Sequence, residues 1–232
     1  MAQVQPAVDA FISEIQRADN KFKKDLNKVV SSFSKMSDTE LINSMSQLNL
    51  LNEIGESGYA QALNRLEGEY AKLLEGAIKE AERRGVTALS GPGLQGLEIL
   101  KDLNTEQLIN QVGTYADTLK TQLFQNLYAG IPPNQIVSSL AGTDLAVHQL
   151  NVATYTGIKT FDDMARYKVF QGTGVKWTYL GPLDDRTRDS CRETILNEPK
   201  EGYTEEQINS KKVRTKFGTR GGFNCRHSWE VK

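Results

Sequence analysis

Cys191, Cys225 and His227 carry both thiols and one of the two imidazoles of this 232-residue chain, the other being His148. They fall in two short segments, Asp184-Asp185-Arg186-Thr187-Arg188-Asp189-Ser190-Cys191 and Phe223-Asn224-Cys225-Arg226-His227-Ser228-Trp229, separated by a 33-residue connection between the cysteines. A metal ion needs donors that converge from non-adjacent segments, and thiolate and imidazole are what zinc prefers in a tetrahedral site. Cys225-x-His227 puts two donors on one side of a strand. Cys191 and Asp185, from the Asp184-Asp185 pair, complete a four-ligand set, so zinc is the expected cofactor. Two other readings fit the same cysteines: reduced thiols packed as small apolar groups, or a Cys191–Cys225 disulfide, which a reducing cytosol disfavours. A nucleophilic triad can also be written, with Cys191 attacking, His227 as base and Asp185 orienting it. No motif supplies an oxyanion hole for it, and the chain lacks a substantial sheet on which to preorganise one. His148 falls in an expected helix and reads as an ordinary surface or partly packed residue.

A second cluster is electrostatic. Lys211, Lys212, Arg214, Lys216, Arg220 and Arg226 follow one another with no acid between them. Such a run is usually a solvated face. Interleaved with Phe217, Phe223 and several glycines, it could also follow a phosphate backbone without reading sequence. Gly91-Pro92-Gly93-Leu94-Gln95-Gly96 matches a dinucleotide-binding fingerprint by letter, but it lacks the preceding strand that such a site requires, so it reads as an interhelical loop.

The elements that must position these residues change character along the chain. Val4, Val8, Phe11, Ile12 and Ile15, then Phe22, Leu26, Val29, Val30 and Phe33, recur at helical spacing. Ser37-Asp38-Thr39-Glu40 forms a capping box before a stripe of Leu41, Ile42, Met45, Leu48 and Leu51. A further helix is expected over about 57–84, closed by Gly85, another from Asn104 to near Gly130, a short one over 134–140, and a last one over about 143–170. Beyond Gly174 the pattern becomes strand-like at Val175–Leu180, and Phe223–Val231 is the expected return strand. The fold class is therefore mainly α: long N-terminal amphipathic helices over residues 1–140, followed at 141–232 by a small α+β module with a short antiparallel sheet. The helical stripes should mostly form core, with one face left to dock on a partner.

Composition narrows the function. The chain carries 28 Lys plus Arg against 29 Asp plus Glu, a net charge of −1, which excludes coating of nucleic acid or anionic membrane by net charge alone. Charge is unevenly placed: residues 175–232 hold 12 basic and 9 acidic side chains, and the preceding residues 16 and 20. There is no apolar run of membrane-spanning length and no secretory signal pattern, so a soluble protein made in the cytoplasm is expected.

The C-terminal features together, a helix, a strand with an aromatic at Val175-Lys176-Trp177, the Asp184–Cys191 segment as D-x-R-x-R-x-x-[HC], and the terminal Cys225-Arg226-His227, resemble the C-terminal domain of the Mu F-like minor head proteins of tailed bacteriophages. The likeness spans residues 142–232 and does not reach residues 1–140. The family often has His where Cys191 stands and Cys where His227 stands, an exchange that conserves donor chemistry. The resemblance implies a structural protein and no enzyme: a low-copy virion component at the portal vertex or capsid interior. It would act in head assembly and in DNA packaging or ejection, with portal or capsid proteins as partners. Packaged DNA would be a sequence-independent contact, and neither membrane nor small-molecule substrate is expected. The alternative is a metal-stabilised nucleic-acid-binding module.

Overall fold

The computed structural model describes residues 4–86, 91–141, 143 and 145–232; the beginning of the family likeness, at Gly142, lies outside them. Helix α1, Val4–Ser32, is followed by a 3₁₀ turn at Phe33–Lys35 and by α2, Asp38–Gln47. Then come α3, Leu50–Ile54, a π turn at Gly55–Tyr59, and α4, Ala60–Arg83. Helices α5, Gly91–Tyr128, α6, Pro133–Ala141, and α7, Val147–Phe170, complete the helical part. Strand β1, Trp177–Leu180, two short helices, α8 at Asp189–Leu196 and α9 at Glu205–Asn209, and β2, Ser228–Val231, finish the chain. The mainly helical architecture with a two-stranded antiparallel sheet is as the periodicities predict.

Local chemistry explains most boundaries. Ser37 and Glu40 form the expected capping box: the Ser37 N–H donates to Glu40 Oε2 at 2.8 Å and the Glu40 N–H to Ser37 Oγ at 3.4 Å. Gly85, at φ 73°, closes α4 as a left-handed C-terminal residue, and the Val86 N–H returns to the Ala81 carbonyl at 3.0 Å. The largest departure is α5. It begins at Gly91 rather than Asn104, so the Gly-Pro-Gly run is its opening, with Pro92 in the first turn where its missing N–H costs nothing. The phosphate-loop letters are thus helix. The stripe expected over 41–51 is only partly used: Met45 is buried, while Ile42 and Leu51 stand exposed.

The residues form two compact units: Met1–Val8, Glu67–Asn104 and Val152–Lys232 in one, Asp9–Leu66 and Thr105–Asn151 in the other. The division falls inside α1, α4, α5 and α7, and the boundary expected at 140/141 lies within the second unit. Residues after 151 do not pack alone, because Tyr70, Leu73, Ala77, Ala81 and Leu97 contribute to the same buried core. Tyr70, for instance, meets Phe161 edge-on at 4.8 Å.

In the unit built on 9–66 and 105–151, Phe11, Ile15, Phe22, Leu26, Val112, Leu119 and Leu123 are buried. Two polar tips reach backbone acceptors across the unit: the Tyr59 hydroxyl donates to the Leu108 carbonyl at 3.0 Å, and Lys120 Nζ to the Leu48 carbonyl at the end of α2, at 2.8 Å.

The unit that holds the C-terminal residues is organised by aromatics. Antiparallel pairing places Trp177 opposite Val231 and Tyr179 opposite Trp229. Alternation along β1 sends Trp177 and Tyr179 inward and leaves Leu180 exposed. Phe217 meets Trp177 at 4.7 Å and Trp229 at 5.6 Å, Phe170 meets Trp177 at 6.2 Å, and Tyr203 meets Trp229 at 5.5 Å. β2 is shorter than the expected 223–231 strand. The chain before Ser228 turns instead, with Asn224 at φ 54° and its N–H on Thr156 Oγ1 of α7 at 3.0 Å.

Candidate metal centre

Strand pairing and the turn before β2 bring the three soft donors together. Cys191 faces inward from the first turn of α8, and Cys225 and His227 precede β2; all three side chains are buried. Their ligating atoms lie within 4.8 Å of one another. Cys191 Sγ to Cys225 Sγ is 3.7 Å, and Cys225 Sγ to His227 Nδ1 is 3.7 Å. Tetrahedral zinc with Zn–S of about 2.3 Å and Zn–N of about 2.0–2.1 Å separates two sulfurs by roughly 3.8 Å and sulfur from nitrogen by roughly 3.6 Å. Both pairs that include Cys225 stand near those separations, and two thiols with one imidazole are donors of the kind that zinc takes, so the cluster could hold a metal ion. The pair is far outside the S–S bonding distance of about 2.05 Å, and both cysteines are free.

The surroundings favour ligation. His227 Nε2 lies 2.9 Å from the Pro182 carbonyl, an acceptor that puts the ring proton on Nε2 and leaves the Nδ1 lone pair for a metal. Burial also lowers the His227 pKa, so the neutral ring is favoured. Burial opposes ionisation of Cys225, but the His227 N–H, the Tyr179 hydroxyl and the Gly221 N–H together outweigh it and hold the thiol below its ordinary range. Cys191 is pushed up, first by burial and further by Cys225 beside it. Two glycines make the room. A Cβ on Gly221 would collide with Cys191 Sγ, and one on Gly181 with the His227 ring.

Asp185 does not join the cluster. It is exposed, and among the described residues no Asp or Glu accompanies the three donors. Its neighbour Asp184 is the structured one, but it serves the loop: its carboxylate takes both Arg226 Nη1 at 2.7 Å and Nη2 at 2.5 Å. Asp184 also accepts from the Arg186 N–H at 3.0 Å. Arg226 holds the Asp184 carboxyl far below the usual carboxylate range. The sequence triad fails for the same reason. His227 directs its Nε2 to a backbone carbonyl, and Asp185 lies outside the site.

The basic run is divided by the fold. Lys211, Lys212 and Arg214 are exposed, Arg214 only distantly paired with Glu193 at 4.0 Å. Lys216 is bound by the carbonyls of Ile208, Ser210 and Val213, where it caps the end of α9. Arg220 is 2% exposed, with Nη1 on Asp163 Oδ2 at 2.9 Å and Nη2 on Thr160 Oγ1 at 3.3 Å. Arg226 is spent on Asp184. Lys216, Arg220 and Arg226 are therefore structural cations, because each is needed to satisfy buried acceptors or a fixed carboxylate.

Sequence reasoning missed the partners of Arg220. Lys159, fully buried in α7, lies 3.1 Å from Asp163 and 3.4 Å from Asp162. Arg166 then joins Asp162 to Glu230 and Glu80. The i, i+3 and i, i+4 spacings of Lys159, Asp162, Asp163 and Arg166 are visible in the sequence, but spacing alone does not show that this face of the helix is buried. Tyr179 was also missed. Its hydroxyl lies 3.5 Å from Cys191 Sγ and 3.6 Å from Cys225 Sγ.

Comparison with protein-family models, with curated proteins and with solved structures gave no match. Among the described residues no helix is long and apolar enough to cross a membrane.

Proposed function

We propose that this chain is a structural assembly protein of a tailed-phage head, held at the portal or inner capsid by its helices, with its C-terminal module fastened by zinc on Cys191, Cys225 and His227. The observation that carries this reading is the convergence of the two motif segments behind the family likeness. Asp184 of the first grips Arg226 of the second, Arg188 donates to the Phe223 carbonyl at 2.8 Å, and Cys191 meets Cys225 and His227. A motif whose members serve one another has a physical reason to recur. The burial of all three donors supports a structural metal role, since catalytic zinc keeps one position open to substrate.

When bound, zinc would supply a cross-link between α8 and the segment before β2. Cys191 and Cys225 would hold it as thiolates, with the Gly221 and His227 N–H groups steadying the Cys225 charge and the Pro182 carbonyl orienting His227. Packaged DNA is a secondary contact, limited to Lys211, Lys212 and Arg214. Three phosphate contacts give a slope of log affinity on log salt of about −2.7 at most. A steeper slope would mean that other surfaces take part.

The test is location. Purified procapsids and mature particles should contain the chain at low copy, and cross-linking should join it to portal or capsid protein. Recovery only in the free protein fraction would refute the reading.

A further inference from the structure

We infer that Tyr179 is the fourth donor of the metal centre, its phenolic oxygen closing the tetrahedron begun by Cys191, Cys225 and His227. This rests on the metal reading above and extends it to a residue type that a search for Cys, His, Asp and Glu passes over.

Four observations carry it. The Tyr179 oxygen lies 3.5 Å from one sulfur and 3.6 Å from the other, within hydrogen-bond reach of both, so it faces the two cysteines equally. Oxygen and sulfur ligands at about 2.0 and 2.3 Å from a tetrahedral ion stand roughly 3.5 Å apart, which is the separation seen on both sides. The competing acceptors are engaged elsewhere: Asp184 is held by Arg226, the Pro182 carbonyl faces His227, and among the described residues no further Cys, His, Asp or Glu reaches the cluster. Finally, the ring cannot swing away. It is 1% exposed, lies parallel to the His227 ring with centroids 5.4 Å apart, packs on Trp229 at 4.7 Å, and sits in β1 opposite Trp229 in register.

The balance is simple. Each of Cys191, Cys225 and Tyr179 delivers its proton to solvent as the ion enters, His227 remains neutral, and two thiolates, one phenolate and a divalent ion leave the site at a charge of −1. No water ligand remains, so the centre is closed.

The experiment titrates the full chain, stripped of metal, with Zn²⁺ and separately with Co²⁺. The wild-type protein should bind one equivalent, develop one equivalent of tyrosinate absorbance in the near ultraviolet, and give tetrahedral cobalt bands. Tyr179→Phe should lose the tyrosinate band and bind zinc at least about tenfold more weakly. Metal uptake without a tyrosinate band in the wild type would overturn the inference while leaving the three-ligand centre intact, even if Tyr179→Phe weakens binding by removing a hydroxyl that donates to sulfur. Equal affinity in Tyr179→Phe would overturn it as well. Failure of the wild type to take up metal would remove both this inference and the metal reading. If Tyr179→Phe does not fold, the wild-type band alone decides.

Discussion

Gly221 and His227 show how much a few atoms govern here. Gly221 has no room for a side chain, because the space a Cβ would take belongs to Cys191 Sγ. Gly221→Ala should therefore cost about 1–3 kcal/mol by overpacking and should release the metal, read by chemical denaturation and elemental analysis. Gly113→Ala, in α5 with nothing near its Cβ position, should instead be neutral or stabilise by up to about 1 kcal/mol. His227 gives a pH signature. Burial depresses its folded-state pKa, whereas the unfolded chain titrates near the ordinary value of about 6.5. On acidification the unfolded state takes up the proton first. The stabilisation present above about pH 6.5 is thus lost as pH falls toward the folded-state value. Thermal melts between about pH 7.5 and 5.5 should show Tm falling with pH, and the fall should be shallower in His227→Asn.

Elements differ in how far local residues decide them. The α2 start is local: Ser37 and Glu40 satisfy each other's backbone donors whatever lies around them. The join between α3 and α4 is not. Its π turn contains Gly58 at φ 129°, a conformation that L residues rarely adopt, and a Cβ added there would stand 3.5 Å from Ala18 Cβ of α1. Gly58→Ala should lower stability by about 1–3 kcal/mol through backbone strain, measured by urea unfolding. α5 is decided by both. Pro92 and Gly130 mark its ends in the sequence, but its first turns were hidden because Gly-Pro-Gly reads as a break unless one counts Pro in a first turn as favourable. β1 was legible in kind from its β-branched and aromatic residues. β2 was legible only in part, because the residues that shorten it, Cys225 to His227, obey the cluster and not the strand period.

For the chain as a whole, zinc on Cys191, Cys225 and His227 would tie α8 to the segment before β2, and both tryptophans lie in that unit. Chelation should therefore perturb tryptophan fluorescence and lower Tm while far-ultraviolet circular dichroism keeps most of its helical signal, since the long helices have their own buried stripes. Loss of helix and fluorescence change at one chelator concentration would mean that the two units unfold together. The charge distribution belongs to the same level. A basic run that looks like one surface in the sequence is three exposed cations and three structural ones. The DNA contact proposed above would accordingly be bounded by Lys211, Lys212 and Arg214.

Periodicity, capping pairs and turn glycines determined by themselves that this chain is helical with a small C-terminal sheet, because those signals act over a few residues. Residue type alone also marked Cys191, Cys225 and His227 as a donor set, since so few soft atoms are present. Tertiary structure alone decided which acid stays outside, which cations are consumed, and that a tyrosine from β1 faces both sulfurs. Those outcomes depend on which side chains meet across long sequence separations, where strand register and burial, rather than local spacing, set the distances.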